Sequence, residues 1–194
     1  MTTLIAPHRT HRDRFADWIV IGLVIVSLAA GWLIRSNAES ASQSISGDVG
    51  SFSYPIGWLS NKTDGLHAID TRTGSGVPTA FGLTAETVNA DQDLKALSTR
   101  QTIRLAQDLD GFSMLSTKSE SVNGEPAVTL AYAYVVVPDV GVASSNRLPV
   151  VVEATDSLIK HSDKLYVLRF SADSAAFAAL ADLRAKLVNS VKLP

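Results

Sequence analysis

Cysteine is absent from the sequence. Its absence excludes disulfide bonds, thiolate metal sites, a cysteine nucleophile and covalent haem attachment, and it also excludes the lipidated cysteine of a bacterial lipoprotein. An excess of positive charge is missing as well, since the formal net charge of the 194 residues is -2. A chain without a basic surface lacks the charge that displaces counterions from a phosphate backbone. The composition therefore argues against nucleic acid as a partner.

Recognisable catalytic and metal-binding motifs are also missing. His67 and His161 are not arranged with Asp or Glu in the pattern of a zinc or hydrolase motif. The glycines around Ser75 lack the lysine and the following helix of a phosphate-binding loop. We therefore expect a protein that is not an enzyme and that has no catalytic residue, no cofactor and no metal site.

One long apolar run is present near the N-terminus, from Trp18 to Ile34, and it contains no charged residue. Its length is at the lower limit for a helix that crosses the ~30 Å hydrocarbon layer of a bilayer. Tryptophans lie near both of its ends, where indole rings favour the boundary between lipid and water. We predict a single transmembrane helix over residues 18–35. The side chains predicted to anchor it are Trp18, Ile19, Val20, Leu23, Val24, Leu28, Trp32 and Leu33.

Positive charge is distributed unevenly around this run. Arg9, Arg12 and Arg14 precede it, whereas only Arg35 follows closely. By the positive-inside rule, residues 1–17 form a cytoplasmic tail and the C-terminal part lies outside the cytoplasm. The predicted localisation is the plasma membrane, with a single pass through the lipid bilayer. A cleaved secretory signal peptide is the alternative, because small residues follow the run at positions 36–38.

The composition changes twice after the apolar run. Residues 36–49 are dominated by Ser, Ala, Gly, Asn and Gln, and such a segment buries too little apolar surface to offset the cost of ordering. We predict a flexible linker over residues 36–49. From residue 50 onward, apolar runs alternate with turn-forming residues, which predicts one extracytoplasmic domain over residues 50–194.

Within this domain the pattern predicts strands interrupted by two amphipathic helices. The first helix begins at a cap, Asn89 or Asp91, and ends before Gly111; the second begins at Asp173 or Ser174. This order predicts an α+β fold in which an antiparallel sheet is covered by two helices. The predicted strands are Gly50 to Tyr54, Leu66 to Thr71, Thr79 to Thr87, Phe112 to Val122, Ala127 to Val137, Val150 to Ala154 and Lys164 to Ser171.

A valine-rich stretch, VVVPDVGV from residue 135 to 142, is a candidate partner contact. Pro138 and Gly141 interrupt a regular strand, so several valines are free to project from the sheet. The residues predicted to contact a partner are Val136, Val137, Val140 and Val142. The alternative is a long hairpin whose valines pack on the domain itself. Trp58 also has two interpretations, of which burial in the core is favoured over an exposed docking role.

The order of these elements resembles the PsbP and Mog1-like proteins. The resemblance depends on the Phe52 to Trp58 segment FSYPIGW, on the long helix before Gly111, on the VNGEPA turn at 122–127 and on KLYVL at 164–168. It covers most of the domain, from Gly50 to Leu193. No side chain of a metal or cofactor site can be matched to the family.

The resemblance implies a domain that docks onto and stabilises larger assemblies. We therefore expect an accessory subunit of a membrane protein complex, and by the same resemblance the expected complex is one of photosynthetic or respiratory electron transfer. Its partners are then other membrane protein subunits, bound through the transmembrane helix and the outer domain. The alternative is a free-standing anchored module that binds a small apolar ligand between its sheet and a helix.

Overall fold

The computed structural model describes residues 18, 20–32, 41–72, 77–137 and 148–194, and it divides the chain into two units, Met1–Ala41 and Ser42–Pro194. In the first unit, residues 20–32 form a helix, α1. Among the described residues, no helix has both the length and the apolar character needed to cross a membrane. The predicted tail over 1–17 and two predicted anchor residues, Ile19 and Leu33, lie outside the described residues.

The second unit is built on an antiparallel sheet. Within the described residues, seven strands are hydrogen-bonded in the order β3-β4-β5-β9-β8-β7-β6, and β1 and β2 form a separate hairpin. The strands are β1 Ser42–Gly47, β2 Gly50–Pro55, β3 Leu59–Asn61, β4 Leu66–Asp70, β5 Thr79–Thr87, β6 Ser113–Val122, β7 Glu125–Val136, β8 Val150–His161 and β9 Lys164–Asp173. The helices are α2 Leu94–Asp108, α3 Ser174–Phe177, a 3-10 turn Ala178–Leu180 and α4 Ala181–Asn189. This confirms the predicted α+β class.

The hairpin β1–β2 differs from the predicted linker. Residues 42–47 form a strand paired with β2, and Ile45 is buried in the core. The Ser and Gln side chains of β1 are exposed, so the strand contributes one apolar residue and its backbone hydrogen bonds. The prediction of a flexible linker from composition is therefore wrong for Ser42–Gly47, and the folded unit begins at Ser42, before the predicted residue 50.

Helix α2 begins later than predicted. Its cap is Asp93, whose Oδ1 accepts the N–H of Ala96 at 2.7 Å, so the predicted caps Asn89 and Asp91 are wrong. The preceding residues form a turn that Lys160 fixes by donating to the carbonyl oxygens of Ala90 and Gln92. At the other end, α2 stops at Asp108 and its C-cap Leu109 is extended, so the helix ends earlier than predicted. Gly111 has the predicted left-handed conformation, with a φ of 63°, but it is not the residue that ends the helix.

The sheet is covered on both faces, and alternate residues of each strand point to opposite faces. On the hairpin face, β1, β2 and α4 bury Phe52, Leu187 and their neighbours against Leu168 and Phe170 of β9. On the α2 face, Leu97 and Leu105 of α2 pack against β7, β8 and β9. The two predicted covering helices therefore lie on opposite faces, and the second is divided into α3, the 3-10 turn and α4. Trp58 is 5% exposed, which agrees with the predicted core role.

Candidate functional site

A buried carboxylate lies on the α2 face, at the centre of the sheet. Asp156 is 0% exposed, and within the described residues it accepts four hydrogen bonds. Arg169 donates two of them, from Nε at 2.8 Å and from Nη2 at 2.7 Å. Tyr132 Oη donates at 2.9 Å and Gln101 Nε2 at 3.0 Å. We call these four residues the Asp156 network, and its full hydrogen bonding offsets the cost of burying the charge.

The network is assembled from four different elements. Asp156 on β8 lies directly opposite Arg169 on β9, and Tyr132 on β7 is opposite Ala154, two residues away on the same face. Gln101 is one helical turn from Leu97 and one from Leu105, so it lies in the middle of the buried stripe of α2. The network therefore joins α2 to three strands of the sheet.

Burial and charge shift the protonation equilibria of this region. Burial raises the pKa of Tyr132 well above its ordinary value, and the charge of Asp156 adds to this effect. Burial also raises the pKa of Tyr134, against the opposing influence of Arg169 and of a hydrogen bond to Ser171. Desolvation lowers the pKa of Arg169, but its hydrogen bonds with Asp156 and the charge of that residue outweigh it and raise the pKa. The tyrosines are therefore neutral and Arg169 is charged at physiological pH.

A cleft of about 460 Å³ opens beside the network, between α2 and strands β4, β5 and β9. Arg169 belongs both to the Asp156 network and to the wall of the cleft. Its side chain is 42% exposed, while Asp156 beneath it is fully buried. The apolar part of the cleft includes Ile69, Leu105 and Val167, and the polar part includes His67, Gln101, Arg169 and Ser171. This volume falls in the range of small-molecule sites, roughly 300–1,000 Å³.

His67 and Gly82 shape the floor of the cleft. The two residues are opposite each other on β4 and β5, and Gly82 is in turn opposite Arg169 on β9. A Cβ atom at position 82 would lie 2.8 Å from Nδ1 of His67, so the imidazole rests where any other residue would place its side chain. The glycine therefore lets the imidazole of His67 lie over β5, on the side of the strand that faces Arg169 of β9.

Charged side chains of both signs surround the cleft. Glu86 pairs with Arg100 and, at 3.9 Å, with Arg104, which also approaches Asp108 at 3.7 Å. Asp64 adds a further carboxylate. These groups are largely exposed, and ion pairs of this kind contribute ~0–1 kcal/mol. They therefore contribute little to stability, and their main effect is on the electrostatic potential in the cleft.

Comparison with known proteins identifies the fold. No protein-family model and no curated protein sequence matches this chain. The solution structure of cyanobacterial PsbP (CyanoP) from Synechocystis sp. PCC 6803 matches 80% of this chain and 94% of its own length, with a TM-score of 0.56 at 16% identity. The chain has a PsbP/Mog1-like fold. The resemblance predicted from the sequence is therefore confirmed.

Two further solved structures are similar to this chain. LpqN of Mycobacterium tuberculosis, described as involved in cell envelope biogenesis, matches 97% of this chain and 100% of its own length, with a TM-score of 0.50 at 16% identity. The Ran-binding protein Mog1p of Saccharomyces cerevisiae matches 79% of this chain and 95% of its own length, with a TM-score of 0.48 at 12% identity. At such low identity, the similarities to CyanoP and LpqN show a shared fold and leave function open.

The predicted partner-contact residues fall near the end of the hairpin formed by β7 and β8. Val136 is the last residue of β7 and is half-buried, and Val137 follows it and is 59% exposed. Val140 and Val142 lie outside the described residues. Of the predicted anchor residues, Trp18, Val20, Leu23, Val24, Leu28 and Trp32 are helical, and their anchoring role remains a prediction.

Sequence reasoning missed the Asp156 network. Two signals were present: Gln101 interrupts the apolar stripe of α2, and Arg169 is a charged residue in the middle of an apolar strand. Neither signal identifies Asp156 as the partner, because the strand register is needed to bring the residues together. Within the described parts of the chain, no group of three His, Asp or Glu side chains is placed to hold a metal ion.

Proposed function

We propose that this chain is a non-catalytic accessory subunit that stabilises a larger membrane protein complex. The PsbP-like fold supports an accessory role, and by the resemblance a photosynthetic or respiratory electron-transfer assembly is the preferred setting. In this proposal the N-terminal helix anchors the chain, and the folded domain docks on the outer surface of the complex. The observation that carries the proposal is the apolar end of the β7–β8 hairpin.

The hairpin end projects beyond the neighbouring strands. The last pair of β9 with β8 is Asp173 with Val152, and the first pair of β6 with β7 is Ser113 with Ala133. Strands β7 and β8 continue to pair beyond these points, up to Val136 with Val150. Among the described residues, the end of the hairpin therefore has no flanking strand, and on the β7 side it is contacted by the segment after α2, where Val135 N–H donates to the carbonyl of Asp110 at 2.8 Å.

The residues at this projecting end are apolar and exposed. Val137 is 59% exposed, Val151 is 47% exposed and Leu148, just before β8, is 81% exposed. We call these three residues the hairpin patch. Water contact with apolar side chains costs ~25 cal/mol per Å², so covering the patch with a partner subunit is favourable. A folded domain has no stability reason to keep these three side chains exposed together.

The anchoring part of the proposal is supported by the sequence of α1. Residues 20–32 contain no charged side chain on any side of the helix, and a helix that is apolar all round requires an apolar environment. An anchor confined to the membrane raises the local concentration of the domain near other membrane subunits. Modest contacts through the hairpin patch are then sufficient for stable association.

The docking test compares two matched substitutions in the native host. Leu148→Glu places a charge in the hairpin patch, outside the strands. Leu115→Glu places the same charge on another exposed leucine, at the bulge of β6. After mild detergent extraction and native gel electrophoresis, we expect wild type and Leu115→Glu to migrate in one stoichiometric assembly and Leu148→Glu to migrate alone. A solitary wild-type monomer, or equal retention of both variants, contradicts the proposal.

The anchoring test is independent of the docking test. We expect the full-length chain in the membrane fraction after carbonate extraction, with the folded domain cleaved by protease added outside the cytoplasm. N-terminal sequencing that places the mature start near Glu39, with the domain freely soluble, contradicts the anchor. A domain that is protected until the cell is lysed contradicts the proposed orientation.

A further inference from the structure

We propose that the cleft beside the Asp156 network binds a small monocarboxylate with an apolar body, and that Arg169 holds its carboxylate group. This site is separate from the hairpin patch and goes beyond the accessory role. It also differs from the apolar ligand expected from the sequence, because the floor of the cleft carries a charged donor. The argument begins with the hydrogen-bonding geometry of Arg169.

Arg169 has donors to spare on the side that Asp156 does not occupy. A guanidinium carries five N–H groups in a fixed plane. Asp156 uses the edge formed by Nε and Nη2, at 2.8 and 2.7 Å. The edge formed by Nη1 and Nη2 remains, and it has the spacing that binds both oxygens of a carboxylate. Because the side chain is 42% exposed and lines the cleft, this edge is accessible to a ligand.

The guanidinium is also held in place before a ligand arrives. Asp156 is itself fixed by Tyr132 and Gln101, so Arg169 is tied through it to β7, β8 and α2. A long arginine side chain normally loses rotamer freedom on binding, at roughly 0.5–1.5 kcal/mol for each immobilised side chain. In this domain the folded structure has already imposed most of that order.

A row of residues across the sheet defines where the carboxylate lies. Asp156, Arg169, Gly82 and His67 are successive partners on β8, β9, β5 and β4. Neighbouring strands are ~4.8 Å apart, so the backbones at Arg169 and His67 are separated by about 10 Å across the glycine. The His67 imidazole lies over Gly82, so a carboxylate held by the remaining edge of Arg169 has this ring as its neighbour on the β4 side.

The charges around the cleft disfavour a second negative charge on the ligand. Asp64, Glu86 and Asp108 line it, against two arginines, Arg104 and Arg169. The charge of Arg169 is already balanced by Asp156 beneath it. A phosphate dianion would therefore meet more repulsion than attraction, whereas a carboxylate monoanion obtains the two hydrogen bonds at smaller electrostatic cost.

The opposite wall accounts for the apolar body. Leu105 of α2, Val167 of β9 and Ile69 of β4 line the cleft away from the guanidinium. A ligand with its carboxylate on Arg169 places its remaining atoms against these side chains. Aryl-alkyl and branched aliphatic acids have the required combination of one charged end and one apolar end.

The test measures binding of three probes to the full-length protein in lipid nanodiscs, by equilibrium dialysis with empty nanodiscs subtracted. The probes are 4-phenylbutyrate, 4-phenylbutanol, which lacks the charge, and 3-phenylpropylphosphonate, which carries a second charge. We expect saturable binding of phenylbutyrate and at least tenfold weaker binding of the other two. Equal binding of the alcohol, tighter binding of the phosphonate, or no saturable binding of phenylbutyrate overturns the proposal.

Three variants locate the site. Arg169→Lys removes the planar donor edge. Gly82→Ala places a Cβ atom 2.8 Å from Nδ1 of His67 and so displaces the imidazole beside the carboxylate position, without touching Asp156. We expect each to weaken phenylbutyrate binding at least tenfold. Arg184→Lys, the matched change on α4 at the opposite face of the sheet, should alter it less than twofold. If Arg169→Lys fails to fold in a thermal melt, Gly82→Ala decides the question, and unchanged binding in Gly82→Ala overturns the proposal.

The docking variant separates this proposal from the proposed function. Leu148→Glu lies in the hairpin patch and should bind phenylbutyrate as wild type does. Loss of the assembly with retained binding then rejects neither proposal. Loss of phenylbutyrate binding in Gly82→Ala with an intact assembly shows that the two sites act independently.

Discussion

The two faces of one sheet bury their side chains in different ways. Among the described residues, the hairpin face buries mainly apolar side chains and no charged one, with Phe52 and Phe81 in edge-to-face contact at 4.9 Å between ring centroids. The α2 face has an apolar core as well, but an ion pair with two additional hydrogen-bond donors lies within it. Apolar burial stabilises any arrangement of similar volume, whereas a buried ion pair stabilises one arrangement and penalises its loss. The hairpin face therefore supplies stability, and the α2 face supplies a defined site.

The largest effect is expected from breaking the ion pair on one side. Arg169→Met leaves the Asp156 carboxylate buried without its charged partner, and we expect the free energy of unfolding to fall by about 3–5 kcal/mol. In the double variant Asp156→Leu/Arg169→Met no unpaired charge remains, so its loss should be smaller than that of Arg169→Met alone. Urea unfolding followed by circular dichroism measures the stability of Arg169→Met, of Asp156→Leu and of the double variant. A double variant less stable than both single variants contradicts the role assigned to the network.

The hairpin face should behave in the opposite way. Leu168 is 1% exposed and faces Leu83 across the β5–β9 pair, so Leu168→Ala should cost about 3 kcal/mol. Adding Leu83→Ala enlarges the cavity instead of removing an unpaired group. We expect the double variant to be less stable than either single variant in the same urea experiment. Recovery of stability in the double variant would show that the two faces do not differ as described.

Both the success and the failure of sequence reasoning follow from this contrast. Alternating apolar residues predicted β5 at its observed bounds, Thr79–Thr87, and the core position of Trp58. The predicted strand that begins at Val150 ended at Ala154, because Thr155, Asp156 and Ser157 are polar. In the structure β8 continues to His161, and all three residues are buried.

The shortened strand and the missed site thus have one cause. Polar residues in a strand normally indicate exposure or an end, and they are buried when a partner satisfies them. That partner is Arg169 for Asp156 and, on the opposite face, Thr129 for Ser157 at 2.8 Å. Both pairings depend on strand register. Register follows from which strands become neighbours, and a single sequence does not specify the order β5-β9-β8-β7.

A smaller effect on the α2 face is expected from the tyrosine of the network. Tyr132→Phe removes a hydrogen bond of 2.9 Å to the buried carboxylate while keeping the ring, and hydrogen bonds to charged groups contribute roughly 1.5–3 kcal/mol. We expect a loss of about 2 kcal/mol in urea unfolding at pH 7. Tyr54→Phe, on the hairpin face, is the matched control and should cost less than about 1 kcal/mol. Equal losses would remove the distinction between the faces.

The same variant has a characteristic pH dependence. The pKa of Tyr132 is raised above the unfolded value of 10.0, mainly by burial. The folded state therefore holds its proton at alkaline pH where the unfolded state releases it, and stability falls as pH rises above 10. Tyr132→Phe should reduce the slope of this loss. An identical slope in Tyr132→Phe contradicts a buried, neutral tyrosine.

The smallest effect is expected at the start of α2, because the helix is held to the sheet mainly by its buried face. Asp93→Ala removes the cap that accepts the N–H of Ala96, and the loss should be about 1 kcal/mol. Asp91→Ala, two residues earlier and exposed, should change stability by less than about 0.5 kcal/mol. Amide hydrogen exchange shows where in the helix the effect lies. Exchange should accelerate in the first turn of α2 and stay slow near Leu105, which is buried one turn after Gln101. If the whole helix exchanges faster in Asp93→Ala, the cap and not the Asp156 network holds α2 in place, and the cleft loses its fixed wall.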